Sequence, residues 1–306
     1  MARAKQKVGQ FGLAIIVDME GCAGISRFHE TYDRSDDFDN ARRRMTAELN
    51  AAVEGAISGG TDPTRIYAVD IHWDGRSILP DDVHHDCKLL RGGRFPALRA
   101  NVYRQVEAIA YLGLYAPSGS PGVLAHTQDF HVQYLKVNGE LWGDAVVESL
   151  VAGMQSKRSS GAVPILAAGD QHALAAYQRF YPHIDSVQTK LAIDASSAIC
   201  SHPTLVNNLI RQKMTVACQR FASNRDQFGA PLQLSRKTKV AIGFGTSEMA
   251  DAVAALLPQV KRGSGHEVCR SFTTPVDGPL DVANFLIGAA LIARAADDGR
   301  GGSESD

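Results

Sequence analysis

The chain is poor in cysteine and in net charge. Its 306 residues carry 32 Lys and Arg against 33 Asp and Glu, a formal net charge of −1. A chain with no excess of basic residues lacks the positive charge that nucleic-acid binding requires, so a small-molecule or short-peptide ligand is expected. An odd number of scattered cysteines without a CxxC pair argues against a disulfide framework and favours reduced thiols in the cytoplasm. The five cysteines are Cys22, Cys87, Cys200, Cys218 and Cys269.

Long hydrophobic runs are also missing. The opening MARAKQKVGQFGLAIIVDMEG imitates a signal peptide, but its apolar run stops at Asp18 and no small-residue cleavage site follows. The longest other apolar stretch, VANFLIGAALIARAA, is too short and too interrupted to span a bilayer. It predicts a core helix, and we expect no membrane partner.

Apolar β-branched runs alternate with segments of helical period along the chain. This alternation predicts an α/β fold with a mostly parallel sheet flanked by helices. The runs LAIIVDM and RIYAVDIHW are predicted as the first two strands. The segment between them has apolar residues spaced by four and ends in a glycine pair, which predicts a long helix.

Composition also suggests how the chain divides. We expect a main α/β metal-binding domain over 12–230 and a smaller C-terminal α+β lobe over 231–296 packed on it, because SNRDQFGAPLQLSRKT reads as a linker. The ends, 1–11 and 297–306, are low in apolar content and are expected to be disordered tails.

Acidic and imidazole side chains follow the first two predicted strands. Asp18 and Glu20 stand two apart at the end of the first strand, and Asp70 and His72 stand two apart at the end of the second. Residues i and i+2 of a strand share a face, and the carboxyl ends of parallel strands line the ligand crevice. If the strands are neighbours, Asp18, Glu20 and His72 converge. Carboxylates with an imidazole suit Zn²⁺ or Mn²⁺.

A structural interpretation of the same residues stays open. Asp18 and Glu20 would then cap the next element, and His72 would be a hydrogen-bonded core histidine. His126 in SPGVLAHTQDFH follows a Pro-Gly turn that fixes its imidazole near the start of a loop, which suits a general acid or base as well as a structural role. His84 and His85 lie in a polar loop and are predicted to be solvated.

Several motifs together carry a resemblance to a known family. VDMEG, VDIH, YLGLYA, PGVLAH, GELWGD, PILAAGDQ and TKLAIDASSAICSHP, in this order over roughly residues 11 to 296, resemble the binuclear zinc D-aminopeptidases. The resemblance implies a central α/β domain, one or two Zn²⁺ per subunit, a decameric homo-oligomeric ring, and hydrolysis of the N-terminal residue from short peptides containing D-amino acids.

The resemblance also implies roles for single residues. Asp18 would bridge two metals, Glu20 and His72 would complete the first site, and His126 would be the catalytic histidine. At the second site this chain departs from the family: Tyr115 stands where a ligating His is expected, and Asp144 stands where a Glu is expected. A phenol binds metal well only as phenolate, so Tyr115 is an uncertain metal or substrate ligand.

These observations predict a metal-dependent amide or peptide hydrolase that resembles the D-aminopeptidases. Two alternatives remain open at this point. One is a mononuclear amidohydrolase or amide-forming enzyme acting on a non-peptide metabolite, and the other is a non-catalytic binding homologue. A nucleotide-binding protein is disfavoured because the sequence has no phosphate-cradling glycine loop.

Overall fold

The computed structural model describes residues 11–32, 35–93, 95–155, 161–274 and 277–301, and in them the chain forms seven α-helices and twelve strands. The helices are α1 Phe38–Ser58, α2 Pro96–Tyr103, α3 Asp144–Gln155, α4 Gln171–Gln178, α5 Pro203–Ser223, α6 Ser247–Leu256 and α7 Pro279–Gly301. The strands are β1 Leu13–Val17, β2 Ile66–Asp70, β3 Cys87–Leu90, β4 Ala108–Leu114, β5 Val132–Val137, β6 Glu140–Leu141, β7 Val163–Asp170, β8 Asp185–Ala192, β9 Ala198–Cys200, β10 Lys237–Phe244, β11 Lys261–Arg262 and β12 Glu267–Thr273.

A seven-stranded sheet forms the centre of the fold. Its strand order is β3-β2-β1-β4-β7-β8-β9. Neighbouring strands pair in parallel from β3 to β8, and β9 pairs antiparallel with β8. The predicted α/β class with a mostly parallel sheet is therefore confirmed, and β1 and β2 are neighbours as the convergence of their carboxyl ends requires.

Helices α1 and α5 pack together over one face of this sheet. Met45, Leu49 and Val53, the apolar residues whose spacing of four predicts α1, are buried in one core cluster. Leu13, Ile15 and Val17 of β1 belong to the same cluster. The helix ends where expected, because Gly60 follows its last turn with a φ of +89°, a conformation that glycine adopts readily. Ala14 and Ile16 of β1 belong to a second core cluster, which includes side chains of α3 and α7.

A second sheet is antiparallel and has the order β11-β12-β10-β5-β6. Strands β10 to β12 follow residue 231, whereas β5 and β6 precede it, so this sheet joins segments from both sides of the predicted boundary. Helices α6 and α7 pack against it. The division into domains 12–230 and 231–296 stays a prediction.

The predicted tails lie partly outside the described residues. Residues 1–10 and 302–306 are not described. Phe11 is buried, and its ring centroid lies 4.7 Å from that of Phe221. Helix α7 continues to Gly301 and so enters the segment predicted as the second tail.

Helix α7 combines an apolar sequence with a position in the core. By length and composition its Pro279–Asp298 segment could cross a membrane, but half of its most apolar window is buried in the fold. Val282, Leu286 and Ala289 are fully buried in the core. Helix α7 therefore packs in the core, as its sequence predicts.

The turn after β1 is locked against the end of β4. The Asp18 N–H donates to the Leu112 carbonyl at 2.9 Å, and the Gly21 N–H donates to the Gly113 carbonyl at 3.0 Å. Gly113 has a φ of +69°, and a Cβ at this residue would lie 1.9 Å from the Asp18 carbonyl oxygen. Only a glycine lets the two backbones approach this closely.

We expect Gly113→Ala to destabilise the protein strongly, because the new methyl group forces the β1 turn away from β4. Gly139→Ala is the matched control: its φ is +86°, but nothing lies within 4 Å of a Cβ there. The control should lower the free energy of unfolding by only about 1–2 kcal/mol, the cost of a left-handed backbone conformation for a residue with a Cβ. Gly113→Ala should lower the free energy of unfolding by about 2 kcal/mol more than the control does. Chemical denaturation measures both, and equal losses would refute the steric explanation.

Candidate metal centre

Three potential metal ligands meet at the carboxyl ends of β1 and β2. Asp18 and Glu20 follow β1, and His72 follows β2. Potential ligand atoms of these three side chains all lie within 4.8 Å of one another, and all three residues are buried. The structure thus brings together the residues that the sequence predicts to converge.

The local reason for this convergence differs from the prediction. β1 ends at Val17 and β2 ends at Asp70, so Glu20 and His72 lie in turns rather than on strand faces. The Asp70 carboxylate accepts hydrogen bonds from the N–H groups of His72 at 3.2 Å and Ile78 at 2.8 Å. Asp70 therefore shapes the turn that carries His72.

The two buried carboxylates have opposite pKa shifts. Burial and the neighbouring Glu20 raise the pKa of Asp18 well above its usual value. Burial alone would raise the pKa of Glu20 too, but His72 outweighs it and the pKa is lowered. The two carboxyl groups therefore do not ionise independently, and ionising both without a cation is costly.

The donor set fits a divalent cation. His72 Nδ1 lies 2.5 Å from Ser77 Oγ, and this contact turns Nε2 toward Glu20 Oε1, 3.5 Å away. Glu20 Oε2 is buried and has no hydrogen-bond partner among the described residues. An unpartnered carboxylate oxygen beside a second carboxylate and an imidazole nitrogen is a suitable environment for Zn²⁺.

His126 is buried beside these residues with a defined tautomer. Its Nδ1 lies 2.8 Å from the Leu124 carbonyl oxygen, which can only accept, so Nδ1 carries the proton and Nε2 is a free base in the neutral ring. The imidazole stacks on Tyr115 with ring centroids 4.1 Å apart. Leu124 has a φ of +57°, a strained conformation that is often found at functional sites.

Tyr115 and Asp144 bind each other. The Tyr115 hydroxyl donates to Asp144 Oδ2 at 2.7 Å. Gln128 donates its backbone N–H to the same oxygen at 2.8 Å and its Nε2 to Asp144 Oδ1 at 2.7 Å. Burial and Asp144 raise the pKa of Tyr115 well above its usual value, so its phenol stays protonated. Both oxygens of Asp144 are already used by protein donors.

A buried lysine supports the turn that carries Glu20. Lys190, on β8, is fully buried, and its Nζ donates to the backbone carbonyls of Glu20, Cys22 and Ile25. Burial lowers its pKa. The same turn is held by Glu48, which accepts the Ala23 N–H at 2.7 Å and whose pKa burial raises to about 7. Lys190 thus holds the turn that carries Glu20 from inside the core.

A cavity of about 230 Å³ contains the predicted site residues together with several that were not predicted. Asp18, Glu20, His72, Tyr115, His126 and Asp144 all line it. Sequence analysis missed Gln128, Arg99 and Glu148, whose neighbouring sequence gives no signal. Lys190 did carry a signal, because a charged residue inside an apolar strand run calls for a buried partner.

A second group of potential ligands lies at the surface. His84, His85 and Asp86 have potential ligand atoms within 4.8 Å of one another. The His85 side chain is 85% exposed, and the two imidazoles stack at 4.6 Å. His84 Nδ1 already accepts the Asp86 N–H at 3.2 Å. His85 is therefore solvated as predicted, whereas the His84 side chain is only 20% exposed.

Comparisons with known proteins point to peptidases. A model of the peptidase M55 family, described as D-aminopeptidase, matches residues 13–277. The D-aminopeptidase of Bacillus subtilis (strain 168) is 26% identical over 258 residues, which are 82% of this chain and 88% of that protein. The solved structure of the Zn-dependent D-aminopeptidase DppA from Bacillus subtilis, a self-compartmentalizing protease, matches with a TM-score of 0.79 at 20% identity. The match covers 92% of this chain and 98% of the DppA chain, so the two proteins share a fold.

We expect Lys190→Met to weaken metal binding and stability together, because three carbonyls lose their shared donor. The free energy of unfolding should fall by about 3 kcal/mol, and the affinity for Zn²⁺, measured by competition with a chelator, should fall about tenfold or more. Lys88→Met is the control, since Lys88 Nζ bonds the Thr64 carbonyl at the surface. A Lys190→Met protein with unchanged metal affinity would contradict this supporting role.

Proposed function

The chain belongs to the D-aminopeptidase family, and from this membership we propose that it is a zinc-dependent, aminopeptidase-like hydrolase. Its reaction is the cleavage of a C–N amide bond in a short peptide or an amino-acid amide. The observation that carries the proposal is the buried cluster Asp18, Glu20 and His72, with an unpartnered carboxylate oxygen, in one cavity with His126.

Asp18, Glu20 and His72 are the proposed metal ligands. A bound Zn²⁺ would supply a Lewis acid that polarises the scissile carbonyl and increases the acidity of water. His72 lowers the pKa of Glu20 against the effect of burial, and Ser77 orients His72 so that Nε2 faces Glu20. The repulsion between Asp18 and Glu20 is relieved by a cation as well as by a proton.

His126 is the proposed proton carrier. With Nδ1 bonded to the Leu124 carbonyl, Nε2 can take a proton from the attacking water. The same nitrogen then returns the proton to the amine that leaves, so the residue ends each turnover in its starting tautomer. Tyr115 holds the ring in place by stacking against it.

The number of metal ions depends on Asp144 and Tyr115. Asp144 is the proposed ligand of a second ion, but its two oxygens accept from Tyr115 and Gln128. Binding there would require these hydrogen bonds to break. We therefore expect one tightly held ion at Asp18, Glu20 and His72, and a second ion only if Asp144 exchanges its partners.

A homo-oligomer is the proposed assembly, with the decameric ring of the family resemblance as its form. The solved relative is described as self-compartmentalizing, and this chain has a surface suited to self-association. Leu191 and Ile199 are paired across the β8–β9 hairpin at the edge of the central sheet, and Ile193 lies two residues after Leu191. Leu191, Ile199 and Ile193 are 39%, 63% and 61% exposed, and they form an apolar patch at the edge of the sheet that β9 closes.

The proposed location is the cytoplasm. Cys22, Cys87, Cys200, Cys218 and Cys269 are all free thiols in the structure. Free thiols are stable in a reducing compartment.

Metal content and turnover test the proposed function together. Asp18→Asn should lose bound zinc, measured by plasma mass spectrometry, and should lose hydrolysis of short peptides with an N-terminal D-residue. His126→Ala should keep its zinc while turnover falls by about 10²–10⁴-fold. The exposed His183→Ala serves as control and should match wild type. Full zinc content in Asp18→Asn, or full turnover in His126→Ala, would refute the assigned role of that residue.

Sedimentation tests the proposed assembly. The double variant Ile193→Asp and Ile199→Asp places charges in the apolar hairpin patch and should shift the protein from the decamer to smaller species. Leu256→Asp is the control, because this residue is 68% exposed on α6, outside the patch. If the double variant and the control sediment alike as large assemblies, the hairpin patch is not an interface.

A further inference from the structure

Charged groups are unevenly distributed in the cavity. Its lining contains six carboxylates and only two guanidinium groups, those of Arg99 and Arg294. Arg99 is neutralised by Glu148, with Nε 2.9 Å from Oε1 and Nη2 3.0 Å from Oε2. Arg294, on α7, is therefore the cation to examine as a ligand for an anionic group. The carboxylates are Asp18, Glu20, Asp129, Asp144, Glu148 and Asp298.

The guanidinium of Arg294 is held by a ring contact and by two long ion pairs, and it has no hydrogen bond within the described residues. Its Cζ lies 4.7 Å from the ring centroid of Trp73, an arrangement that holds the guanidinium by a cation–π contact. The nearest carboxylate oxygens, of Asp129 and Asp298, lie 3.8 Å and 4.0 Å away, beyond hydrogen-bond distance. Within the described residues its N–H groups have no acceptor, and its side chain is 34% exposed.

Asp129 is held by another residue. Its Oδ1 contacts His131 Nδ1, and the Nε2 of the same imidazole lies 3.2 Å from Asp297 on α7. His131 therefore fixes Asp129 and the end of α7 together. Arg294 keeps its donors available beside this pair.

Trp73 connects Arg294 to the metal centre. It directly follows His72 and has a φ of +54°, a conformation that is rare for a bulky side chain. The strained backbone directs the indole into the cavity, where Tyr32 and Phe130 also contribute aromatic surface. His72, Trp73 and Arg294 therefore line the same cavity, with Trp73 in contact with the guanidinium.

We propose that Arg294 binds the C-terminal carboxylate of the substrate and thereby favours the free acid over the C-terminal amide. The inference rests on the proposed function and adds a specificity-determining residue to it. A peptide bound in this way would place its scissile amide at Asp18, Glu20 and His72 and its carboxylate at Arg294. The guanidinium fork offers two parallel N–H donors to a carboxylate.

The test compares D-alanyl-D-alanine with its C-terminal amide. In wild type, kcat/KM for the free acid should exceed that for the amide by about tenfold or more, the range expected for charge-assisted hydrogen bonds. Arg294→Leu should lower kcat/KM for the acid about tenfold and change that for the amide less than about twofold, whereas Arg294→Lys should retain part of the preference. Arg179→Leu, which removes a surface pair with Glu140, is the control.

Three kinetic results would overturn the inference. The first is equal kcat/KM for the acid and the amide in wild type, and the second is an equal loss on both substrates in Arg294→Leu. The third uses the amide of D-alanyl-D-glutamate, which carries a carboxylate only on its side chain. If this compound is as good a substrate as the free acid, Arg294 recognises a side chain rather than the C-terminus.

A binding measurement separates this inference from the proposed function. Calorimetry with reduced dipeptides, in which CH₂–NH replaces the scissile amide, compares the acid and amide forms without turnover. If wild type hydrolyses none of the peptides, the proposed function fails, and the inference still requires tighter binding of the acid in wild type and loss of that difference in Arg294→Leu. Equal binding of the two forms by wild type would refute it.

Discussion

Two carboxylates buried side by side at the end of β1 are the constraint around which this site is built. With ligand atoms within 4.8 Å of each other, two ionised groups repel by about 3 kcal/mol or more even at an effective dielectric constant of about 20. Several features of the surroundings reduce this repulsion. Burial and Glu20 raise the pKa of Asp18, His72 faces Glu20, and Lys190 Nζ lies under the turn. A divalent cation relieves the same repulsion most directly.

Much of the fold and part of the site could be predicted from the sequence. The α/β class, the strand preceding Asp18 and the helix α1 have strong periodic signals, and family membership was predicted from ordered motifs. The position of Asp18, Glu20 and His72 at adjacent strand ends followed from the rule for parallel sheets. The rule requires only that residues lie at the carboxyl ends of the strands, not on the strands themselves. The three side chains therefore converge although Glu20 and His72 lie in turns.

Other features could not be predicted because they depend on contacts between distant segments. β11 has two residues and β9 has three, too few for an alternating pattern to stand out. β5 pairs with β10 more than a hundred residues later, which no local pattern records. The pairing of Tyr115 with Asp144, and the approach of Arg294 to Trp73, are likewise products of tertiary packing.

The close contact of Gly113 with Asp18 has a consequence for the rate at which metal is exchanged. The turn that carries Asp18 and Glu20 is packed against β4 and anchored by Lys190, so the positions of these two carboxylates do not depend on a bound ion. Loading then requires no refolding, and its heat-capacity change is small because little apolar surface is buried. The cavity that contains these carboxylates is also lined by Trp73 and Arg294. A substrate seated there would slow the loss of the ion, so an occupied enzyme retains its metal longer than an empty one.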